Sequence, residues 1–353
     1  MDAPIDHAVP VRPGEELPAA ALEDYLGRRL SAVGPLTIEQ FPRGHSNLTY
    51  LLRVGDTELI LRRGPFGNQV KSAHDMGREY HVLSKLSAVY PPAPRPFAYS
   101  DGADLGAPFY LMERRRGVIL RADLPPGLAI DPPTARRLGE ALIDNLADLH
   151  ALDYGAAGLG DRGRPDGYVA RQVAGWADRY TRSKTDNVPA MDRVGRWLAD
   201  HLPTESGVAL IHNDYKYDNL VLDPADLTRI VAVLDWEMAT VGDPLMDLGT
   251  TLGYWVEAGD PPELQRRAMG PTTLPGNPTR RDLAERYAAR TRRDLANVVF
   301  YYAYGLFKIA VIVQQIFARY VRGHTRDPRF ARLNELVAVL ADQADRAIAR
   351  GLV

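Results

Sequence analysis

The sequence predicts an α+β fold with two parts, a small N-terminal region built on an antiparallel sheet and a large, mainly helical C-terminal region. Short runs with the composition of strands, separated by glycine-containing turns, dominate the first third of the chain. Long runs with apolar residues at helical spacing dominate the rest. One β-rich island, residues 208–235, interrupts those helices. At 353 residues the chain is long enough for two such regions.

The N-terminal region alternates strands with two helices. Five segments have the pattern of strands: residues 36–41, 48–54, 58–62, 97–100 and 108–113. Residues 17–30 predict a helix before the first strand, and residues 72–86 predict a second helix between the third and fourth strands. Ser72 and Asp75 are expected to open that second helix as capping residues. Many α+β folds share this order of elements.

The C-terminal region begins after a linker. Glycine and proline punctuate residues 114–131, and the first helix beyond them covers residues 133–152 with Asp131 as its cap. Further helices are predicted over residues 167–182 and 191–202. We therefore expect three parts: residues 1–113 as an N-terminal lobe with a leading helix, residues 114–131 as a hinge, and residues 132–353 as a helical C-terminal lobe that contains the island.

Composition excludes several classes of protein. The formal net charge is −2, without the basic excess of a dedicated nucleic-acid binder. The chain has no cysteine, which excludes disulfides and cysteine-based metal or redox sites and is compatible with a reducing cytoplasm. Residues 1–16 are polar and lack the apolar core of a signal peptide. We therefore expect a cytoplasmic protein that binds no nucleic acid.

The strongly apolar residues 298–317 have the length of a membrane span. Lys308 lies near the middle of this run, and Gln314 and Gln315 follow within it. A charge at the centre of a bilayer costs at least roughly 2.5 kcal/mol. We therefore interpret the segment as a buried helix of the helical lobe and expect no membrane association.

The island carries the pattern His212-x-Asp214-x-x-x-x-Asn219 between two apolar strands. In phosphoryl transfer, a carboxylate can orient the attacking hydroxyl and accept its proton, and an amide oxygen can bind Mg²⁺ without adding charge. Asp214 and Asn219 supply these two groups on one short loop. Lys216 is placed to neutralise a transferring phosphoryl group. As alternatives, a His-x-Asp turn can be purely structural, and a loop lysine can simply be solvated.

Asp235 ends the apolar run 230–234, so a fixed strand would present its carboxylate to a cleft, as suits a Mg²⁺ ligand. Only one short hairpin separates it from Asn219, so both side chains could reach one metal ion. Acidic residues outnumber basic ones throughout this region, which favours a cation. The alternative is that Asp235 only caps the next helix.

These residues in order, with Leu234-Asp235-Trp236-Glu237 and the run from Gly242 to Leu248, resemble the motifs of the aminoglycoside phosphotransferase and choline kinase superfamily. The resemblance implies a bilobal, protein-kinase-like fold with the nucleotide bound in the N-terminal lobe. It implies Asp214 as the catalytic base and Asn219 and Asp235 as Mg²⁺ ligands. Asp247 would brace the catalytic loop, and the ring of His212 would hold the loop backbone.

The same resemblance assigns a phosphate-covering loop to residues 41–50. Gly44 would permit close approach of the backbone, and Ser46 and Asn47 would offer N–H groups, although a plain hairpin turn has the same pattern. Strand alternation puts Ile60 and Arg62 on one face of the third strand.

Ile60 would cover the adenine, and Arg62 would reach the phosphates and pair with Glu79. Arg62 stands where such kinases place a lysine, and a solvated arginine at a strand end is the alternative. Met112 would lie behind the adenine, with backbone groups of Glu113 and Arg115 reading its edge.

The sequence therefore predicts a Mg²⁺-dependent kinase that uses ATP or GTP and phosphorylates a hydroxyl of a small molecule. The alternative is a catalytically silent, kinase-like nucleotide-binding protein, to which Arg62 lends some support. A protein kinase is disfavoured because the Ala-Pro-Glu run is missing.

Several motifs resemble those of the branch that includes domains fused to acyl-CoA dehydrogenases, which implies a hydroxyacyl-CoA acceptor. An aminoglycoside-like alcohol stays open as the other acceptor class. Residues 280–293 carry six arginines, a run that an anionic acceptor would suit if it is not merely solvated. The oligomeric state cannot be read from the sequence.

Overall fold

The computed structural model describes residues 5–32, 34–42, 47–65, 75–325 and 327–353. Its strands in chain order are β1 (Leu36–Gln40), β2 (Leu48–Val54), β3 (Thr57–Arg63), β4 (Pro96–Ser100), β5 (Phe109–Glu113), β6 (Ala209–Ile211), β7 (Leu220–Leu222), β8 (Ile230–Val233) and β9 (Thr240–Gly242). Its helices are α1 (Ala19–Leu30), α2 (Met76–Leu86), α3 (Pro132–His150), α4 (Tyr168–Ser183), α5 (Pro189–Asp200), α6 (Pro244–Tyr254), α7 (Pro262–Gln265), α8 (Arg280–Thr291), α9 (Val298–Val321) and α10 (Leu333–Arg350). The predicted α+β class and the predicted order of elements are confirmed.

The chain divides into two compact units. The first comprises Met1–Ile119 and Leu220–Ala239, and the second comprises Leu120–Asn219 and Thr240–Val353. The sequence placed residues 220–239 with the helical lobe, whereas the structure groups them with the sheet. The reason is backbone pairing: Val118 and Leu222 exchange hydrogen bonds of 2.9 and 2.8 Å, and Val233 N–H donates to the carbonyl of Pro92 at 2.8 Å.

The first unit is built on a five-stranded antiparallel sheet in the order β1-β2-β3-β5-β4. Successive residues of β3 lie on opposite faces of the sheet, because successive side chains of a strand point in opposite directions. Leu59 and Leu61 join the core formed with Leu22 and Tyr25 of α1. Arg62 lies on the opposite face, where it meets α2.

Helix α2 begins at Met76, and the Asp75 side chain caps it by accepting a 2.9 Å hydrogen bond from the Arg78 N–H. The capping role predicted for Asp75 is confirmed. The predicted start at Ser72 and its share in the cap fall outside the described residues. The cap fixes where the helix begins and hence the position of Glu79, which lies one turn further along the helix.

The second unit is mainly helical, with α9 at its centre against α6, α10, α4 and α5. Of the described helices, α9 is the one long and apolar enough to cross a membrane by length and composition, and 78% of its apolar window is buried inside the structure. The interpretation of this segment as a buried helix is confirmed. Helices α6 and α9 cross closely at two glycines, since a Cβ on Gly249 would lie 2.1 Å from the Tyr301 carbonyl oxygen.

Candidate active site

In the second unit, the loop after β6 is held by the buried carboxylate of Asp247 from the first turn of α6. One oxygen of that carboxylate accepts the N–H of His212 at 2.6 Å, and the other accepts the N–H of Asn213 at 2.8 Å. The ring Nδ1 of His212 lies 3.3 Å from the N–H of Asp214 and accepts it. The bracing contact predicted for Asp247 and the loop-holding contact predicted for His212 are therefore both present.

A second polar contact holds Asp247 from the opposite side. The Nε2 of His150, at the end of α3, lies 3.2 Å from Asp247, and its Nδ1 lies 2.6 Å from the hydroxyl of Tyr287. An ionised Asp247 can only accept, so the Nε2–H of His150 donates to it. Burial by itself would raise the pKa of Asp247, but the contact with His150 holds that pKa below its ordinary value. Asp247 is thus an ionised, fully buried anchor.

Asp214 has partners on both carboxylate oxygens. Tyr254, at the end of α6, donates its hydroxyl to Oδ1 at 2.6 Å, and Lys216 Nζ donates to Oδ2. Burial would raise the pKa of Asp214, whereas the charge and hydrogen bond of Lys216 and the hydrogen bond of Tyr254 lower it, and the net shift is downward. Asp214 is therefore in the form that can accept a proton. Sequence reasoning missed Tyr254, which lies 40 residues further along the chain.

The orientation of Asn219 is fixed by its contacts with Asp214. Its amide nitrogen donates to the Asp214 carbonyl oxygen at 2.8 Å and to Oδ2 of the Asp214 carboxylate at 3.0 Å. Both partners are acceptors, so the opposite amide orientation would place oxygen against oxygen. The Asn219 amide oxygen therefore points away from Asp214, as a metal ligand at this position requires.

A small, open cavity lies next to Lys216 and Tyr254 within the second unit, with free space of about 10 Å³. Its lining includes one cation, Lys216, and five aromatic or apolar side chains, Leu142, Tyr217, Tyr254, Trp255 and Met269. Lys216 also lies over the ring of Tyr254, with Nζ 4.7 Å from the ring centroid. Two of the three side chains that bond to the Asp214 carboxylate, Lys216 and Tyr254, therefore also form part of the cavity wall.

In the first unit, Arg62 joins two carboxylates. Its guanidinium lies 3.0 Å from Glu79 of α2 and 3.0 Å from Asp235, and the side chain is 8% exposed. The predicted pairing of Arg62 with Glu79 is confirmed, and the alternative of a solvated arginine is excluded. The contact with Asp235 was not predicted. Glu79 also accepts the backbone N–H of Trp236 at 3.1 Å, which links α2 to the segment after β8.

Asp235 has a left-handed backbone, with φ of 69°, which costs a non-glycine residue of the order of 1 kcal/mol or more. Its side chain makes no capping hydrogen bond to the turn that follows. The alternative reading, in which Asp235 is only a helix cap, is therefore wrong. The carboxylate is 26% exposed and so lies at the surface of its own unit.

Glu237 is a further acidic group that sequence reasoning did not single out. It accepts a 2.9 Å hydrogen bond from the side-chain amide of Asn47, which was predicted to contact phosphate through its backbone. Burial, together with the nearby charge of Asp235, raises the pKa of Glu237 to about 8. Arg62 already pairs with Glu79 and Asp235, and Glu237 adds a third carboxyl group, whose raised pKa keeps it largely protonated near neutral pH.

The other predicted nucleotide contacts lie on β3 and β5. Ile60 and Met112 are buried partners in the strand register. The backbone N–H of Glu113 donates to the carbonyl of Arg95 at 2.9 Å, and the Glu113 side chain accepts from Arg115. The Glu113 N–H is therefore already used, and the predicted part of the Glu113 and Arg115 backbone groups in reading the adenine edge stays a prediction. Gly44 and Ser46 fall outside the described residues.

Within the described ranges, no group of three or more histidine, aspartate or glutamate side chains is arranged to hold a metal ion. The predicted ligand set contains one amide and one carboxylate, Asn219 and Asp235, which belong to different units. Their assignment to a common ion stays a prediction.

Three arginines of α8 are engaged in ion pairs. Arg280 is buried against Asp260 at 2.7 Å, Arg286 pairs with Asp144 at 2.7 Å, and Arg290 pairs with Asp148 at 2.6 Å. These contacts hold α8 to its neighbours. Three of the six arginines of the run are therefore engaged within the protein, and an anion-binding role for the run stays a prediction.

Comparison with known proteins agrees with this geometry. The profile of the phosphotransferase enzyme family matches residues 37–285. Acyl-CoA dehydrogenase family member 10 of Mus musculus is 33% identical over 340 residues, covering 95% of this chain and 31% of that protein. Family member 11 of Rattus norvegicus is 34% identical over 333 residues, covering 92% of this chain and 42% of that protein. The chain thus spans less than half the length of these curated relatives.

Solved structures give the same answer for the fold. A Ralstonia eutropha protein assigned to the aminoglycoside phosphotransferases has a TM-score of 0.76 at 29% identity, covering 94% of this chain and 99% of that one. A thermostable mutant of APH(4)-Ia with ADP and hygromycin B has a TM-score of 0.59 at 15% identity, covering 93% and 98%. Choline kinase from Cryptosporidium parvum has a TM-score of 0.61 at 12% identity, covering 94% and 97%. The last two support the kinase-like fold alone. By the match to its profile and the identity to its relatives, the chain belongs to the phosphotransferase enzyme family.

Proposed function

We propose that the protein transfers the γ-phosphoryl group of ATP or GTP, bound with Mg²⁺, to a hydroxyl group of a small molecule. The observation that carries the proposal is the state of Asp214, an ionised carboxylate on a loop whose backbone is pinned by Asp247. A base in a fixed position beside an open cavity is what in-line phosphoryl transfer requires of the protein. The ADP complex of APH(4)-Ia supports a nucleotide as the donor.

In this proposal Asp214 orients the acceptor hydroxyl and takes its proton. Its Oδ1 bonds to Tyr254 and its Oδ2 to Lys216 and Asn219, so the carboxylate cannot rotate. The approaching hydroxyl would share Oδ1 or Oδ2 with one of these donors. The Lys216 ammonium, which lies in the cavity wall, would then move toward the transferring phosphoryl oxygens and neutralise their charge.

The residues present fit a hard divalent cation such as Mg²⁺. The Asn219 amide oxygen points away from Asp214, and the side chain of Asp235 is partly exposed directly after β8. We assign Asn219 and Asp235 as the ligands. When bound, Mg²⁺ would neutralise phosphate charge and help to orient the phosphoryl group.

For the nucleotide, we assign the phosphates to Arg62 and the base to the neighbourhood of Ile60 and Met112. A guanidinium can bind two phosphate oxygens at once. The contact of Arg62 with Asp235 would then be exchanged for contacts with phosphate, while Glu79 keeps the side chain in place. The same contact is the observation that favours the second candidate function, a kinase-like protein that binds nucleotide without catalysis.

The lining of the cavity favours a neutral or anionic acceptor over a polycation. Apart from the adjacent Asp214, the cavity wall described contributes a cation, Lys216, and no carboxylate. A polycationic aminoglycoside would require acidic groups there. We therefore propose the acyl-CoA-related branch, with a hydroxyacyl-CoA as the acceptor class, and the names of the curated relatives support this choice.

The test is a search for phosphorylated products. Purified protein would be incubated with Mg-ATP or Mg-GTP and a pool of small alcohols that includes hydroxyacyl-CoA esters, and products would be identified by mass spectrometry. We expect a phosphorylated product whose rate of formation falls by about 10²-fold or more in Asp214→Ala. Asp218→Asn, a change in a carboxylate on the same loop that bonds to Arg121, is the matched control. No product with any acceptor, or equal rates for Asp214→Ala and wild type, would reject the proposal.

A further inference from the structure

Lys308 is a buried cation that the proposed reaction does not use. It lies in the middle of α9 and is 1% exposed. Its ammonium donates to the backbone carbonyl of Asn213 at 2.6 Å and lies 3.3 Å from the Asn213 side-chain oxygen. A buried charge is costly unless hydrogen bonds and nearby charges compensate it. Lysine is therefore a demanding choice for this position in an otherwise apolar helix.

The partner of Lys308 is a strained residue next to the candidate base. Asn213 has a left-handed backbone, with φ of 68°, and lies between His212 and Asp214. Such a conformation costs of the order of 1 kcal/mol or more and persists only where surrounding contacts enforce it. Its N–H is held by Asp247 and its carbonyl by Lys308, so both backbone polar groups of this residue are fixed.

The two anchors reach the loop from helices that pack closely. A Cβ on Gly305 of α9 would lie 2.1 Å from the Gly249 carbonyl oxygen of α6, so only glycine permits this approach. Lys308 lies one turn beyond Gly305, and Asp247 lies two residues before Gly249. The crossing therefore directs an anion from α6 and a cation from α9 at neighbouring peptide groups of the same loop.

We propose that Lys308 is a positioning residue of the phosphotransfer site, holding Asn213 in its left-handed conformation so that Asp214 points its carboxylate toward the acceptor. This inference rests on the proposed function for its catalytic consequence. Its structural part, that Lys308 orders the loop, can be measured without any reaction.

The electrostatic surroundings of Lys308 give the inference a pH dependence. The charged groups around it are Asp247 on α6, Asp214 and Lys216 on the loop, and Arg179 on α4. Burial lowers the pKa of Lys308 to about 8, and the two carboxylates oppose that shift. Above this pH the amine becomes neutral and its hold on the Asn213 carbonyl weakens. Arginine at the same position would stay charged.

The first experiment is amide hydrogen exchange on the nucleotide-free protein, comparing wild type with Lys308→Met. We expect the amides of residues 212–214 to exchange about tenfold faster in the variant. The matched control is Gln314→Leu, which removes another buried polar group of α9, one that donates to the Ser183 carbonyl at 2.8 Å. If Lys308→Met does not fold, Lys308→Gln, which keeps a donor without the charge, is read in its place.

The inference would be overturned if the amides of residues 212–214 exchanged at the same rate in the Lys308 variant as in wild type. It would also be overturned if Gln314→Leu accelerated their exchange as much as the Lys308 variant does. This outcome is independent of whether the protein has any activity. A silent wild-type protein whose loop loosens only in the Lys308 variant would instead count against the proposed function and leave the ordering role supported.

The second experiment measures ADP release from Mg-ATP with water as the acceptor, which yields inorganic phosphate. We expect Lys308→Met to lower kcat by about tenfold or more, because the base is displaced. The KM for ATP should change little, because nucleotide binding is unaffected. Lys308→Arg is expected to recover at least part of kcat. We also expect the kcat of wild type to decline above about pH 8 and that of Lys308→Arg to lack this decline. An unchanged kcat in Lys308→Met, or the same alkaline decline in Lys308→Arg, would contradict the inference.

Discussion

Replacing Asp247 with asparagine tests how the catalytic loop is held. The carboxylate accepts hydrogen bonds from two backbone N–H groups, at 2.6 and 2.8 Å, and from His150 at 3.2 Å. An amide supplies one oxygen and one NH₂, so at least one of these donors must face another donor. Losing a charged hydrogen bond and leaving a buried N–H without a partner together cost about 3–5 kcal/mol. For a unit of this size the melting temperature should fall by roughly 10 °C.

The pH dependence of stability gives an independent check on Asp247→Asn. The folded-state pKa of Asp247 is below its ordinary value, because His150 overcomes the opposing effect of burial. Its stabilisation is therefore fully present above the ordinary pKa of an aspartate and is lost as the pH falls through the lower, folded-state pKa. The free energy of unfolding of wild type, measured with urea, should decrease in that acid range. The free energy of unfolding of the variant should depend less on pH there.

A matched control separates the loop from general destabilisation. Asp260→Asn disrupts another buried carboxylate of the second unit, which pairs with Arg280 at 2.7 and 2.9 Å. Both variants should melt earlier than wild type, but only Asp247→Asn should also lower kcat, by about tenfold or more. Equal kcat for Asp247→Asn and wild type, or equal losses in the two variants, would refute the role given to Asp247.

Other predictions concern the remaining parts of the site. Arg62→Met should destabilise the first unit by about 3–5 kcal/mol, because it leaves two carboxylates without their cation; an unchanged urea midpoint would contradict this. Tyr254→Phe should cost about 1.5 kcal/mol in stability and lower kcat several-fold through loss of the donor to Asp214, and a wild-type kcat would count against that contact. Chelation by EDTA should abolish both the thermal shift caused by ATP and phosphoryl transfer, and Mg²⁺ should restore them; a full shift in EDTA would exclude the assigned metal. Because the folded-state pKa of Lys308, about 8, is below the ordinary 10.5, wild type should gain up to about 3 kcal/mol of stability between those pH values, a gain that Lys308→Met should lack.

The parts of the fold that could be predicted from sequence depend on local patterns. Alternation along β3 separated Leu61, in the core, from Arg62, on the α2 face, because a strand has a period of two. Asp131 and Asp75 were recognisable caps because capping joins residues a few positions apart. Asp247 was assigned correctly only through the resemblance of its motif.

Contacts between distant segments were the ones missed. Tyr254 and Lys308 lie 40 and 95 residues from their partners in the loop, and nothing in their local sequence marks them as polar contacts of the site. The placement of residues 220–239 with the sheet depends in the same way on pairing between Val118 and Leu222. The ion pairs of Arg280, Arg286 and Arg290 on α8 were missed because their carboxylate partners come from other segments, such as Asp144 on α3.

The account depends most on Asp214 as the base of a phosphoryl transfer that requires a divalent cation. The direct measurement is transfer of label from [γ-³²P]ATP to small molecules by wild type and by Asp214→Asn, at matched nucleotide occupancy established by thermal shift with Mg²⁺. We expect both proteins to bind Mg-ATP and only wild type to label an alcohol. Equal labelling by both, or nucleotide binding with no labelling by wild type across the whole pool, would contradict the assignment of Asp214 as a catalytic base.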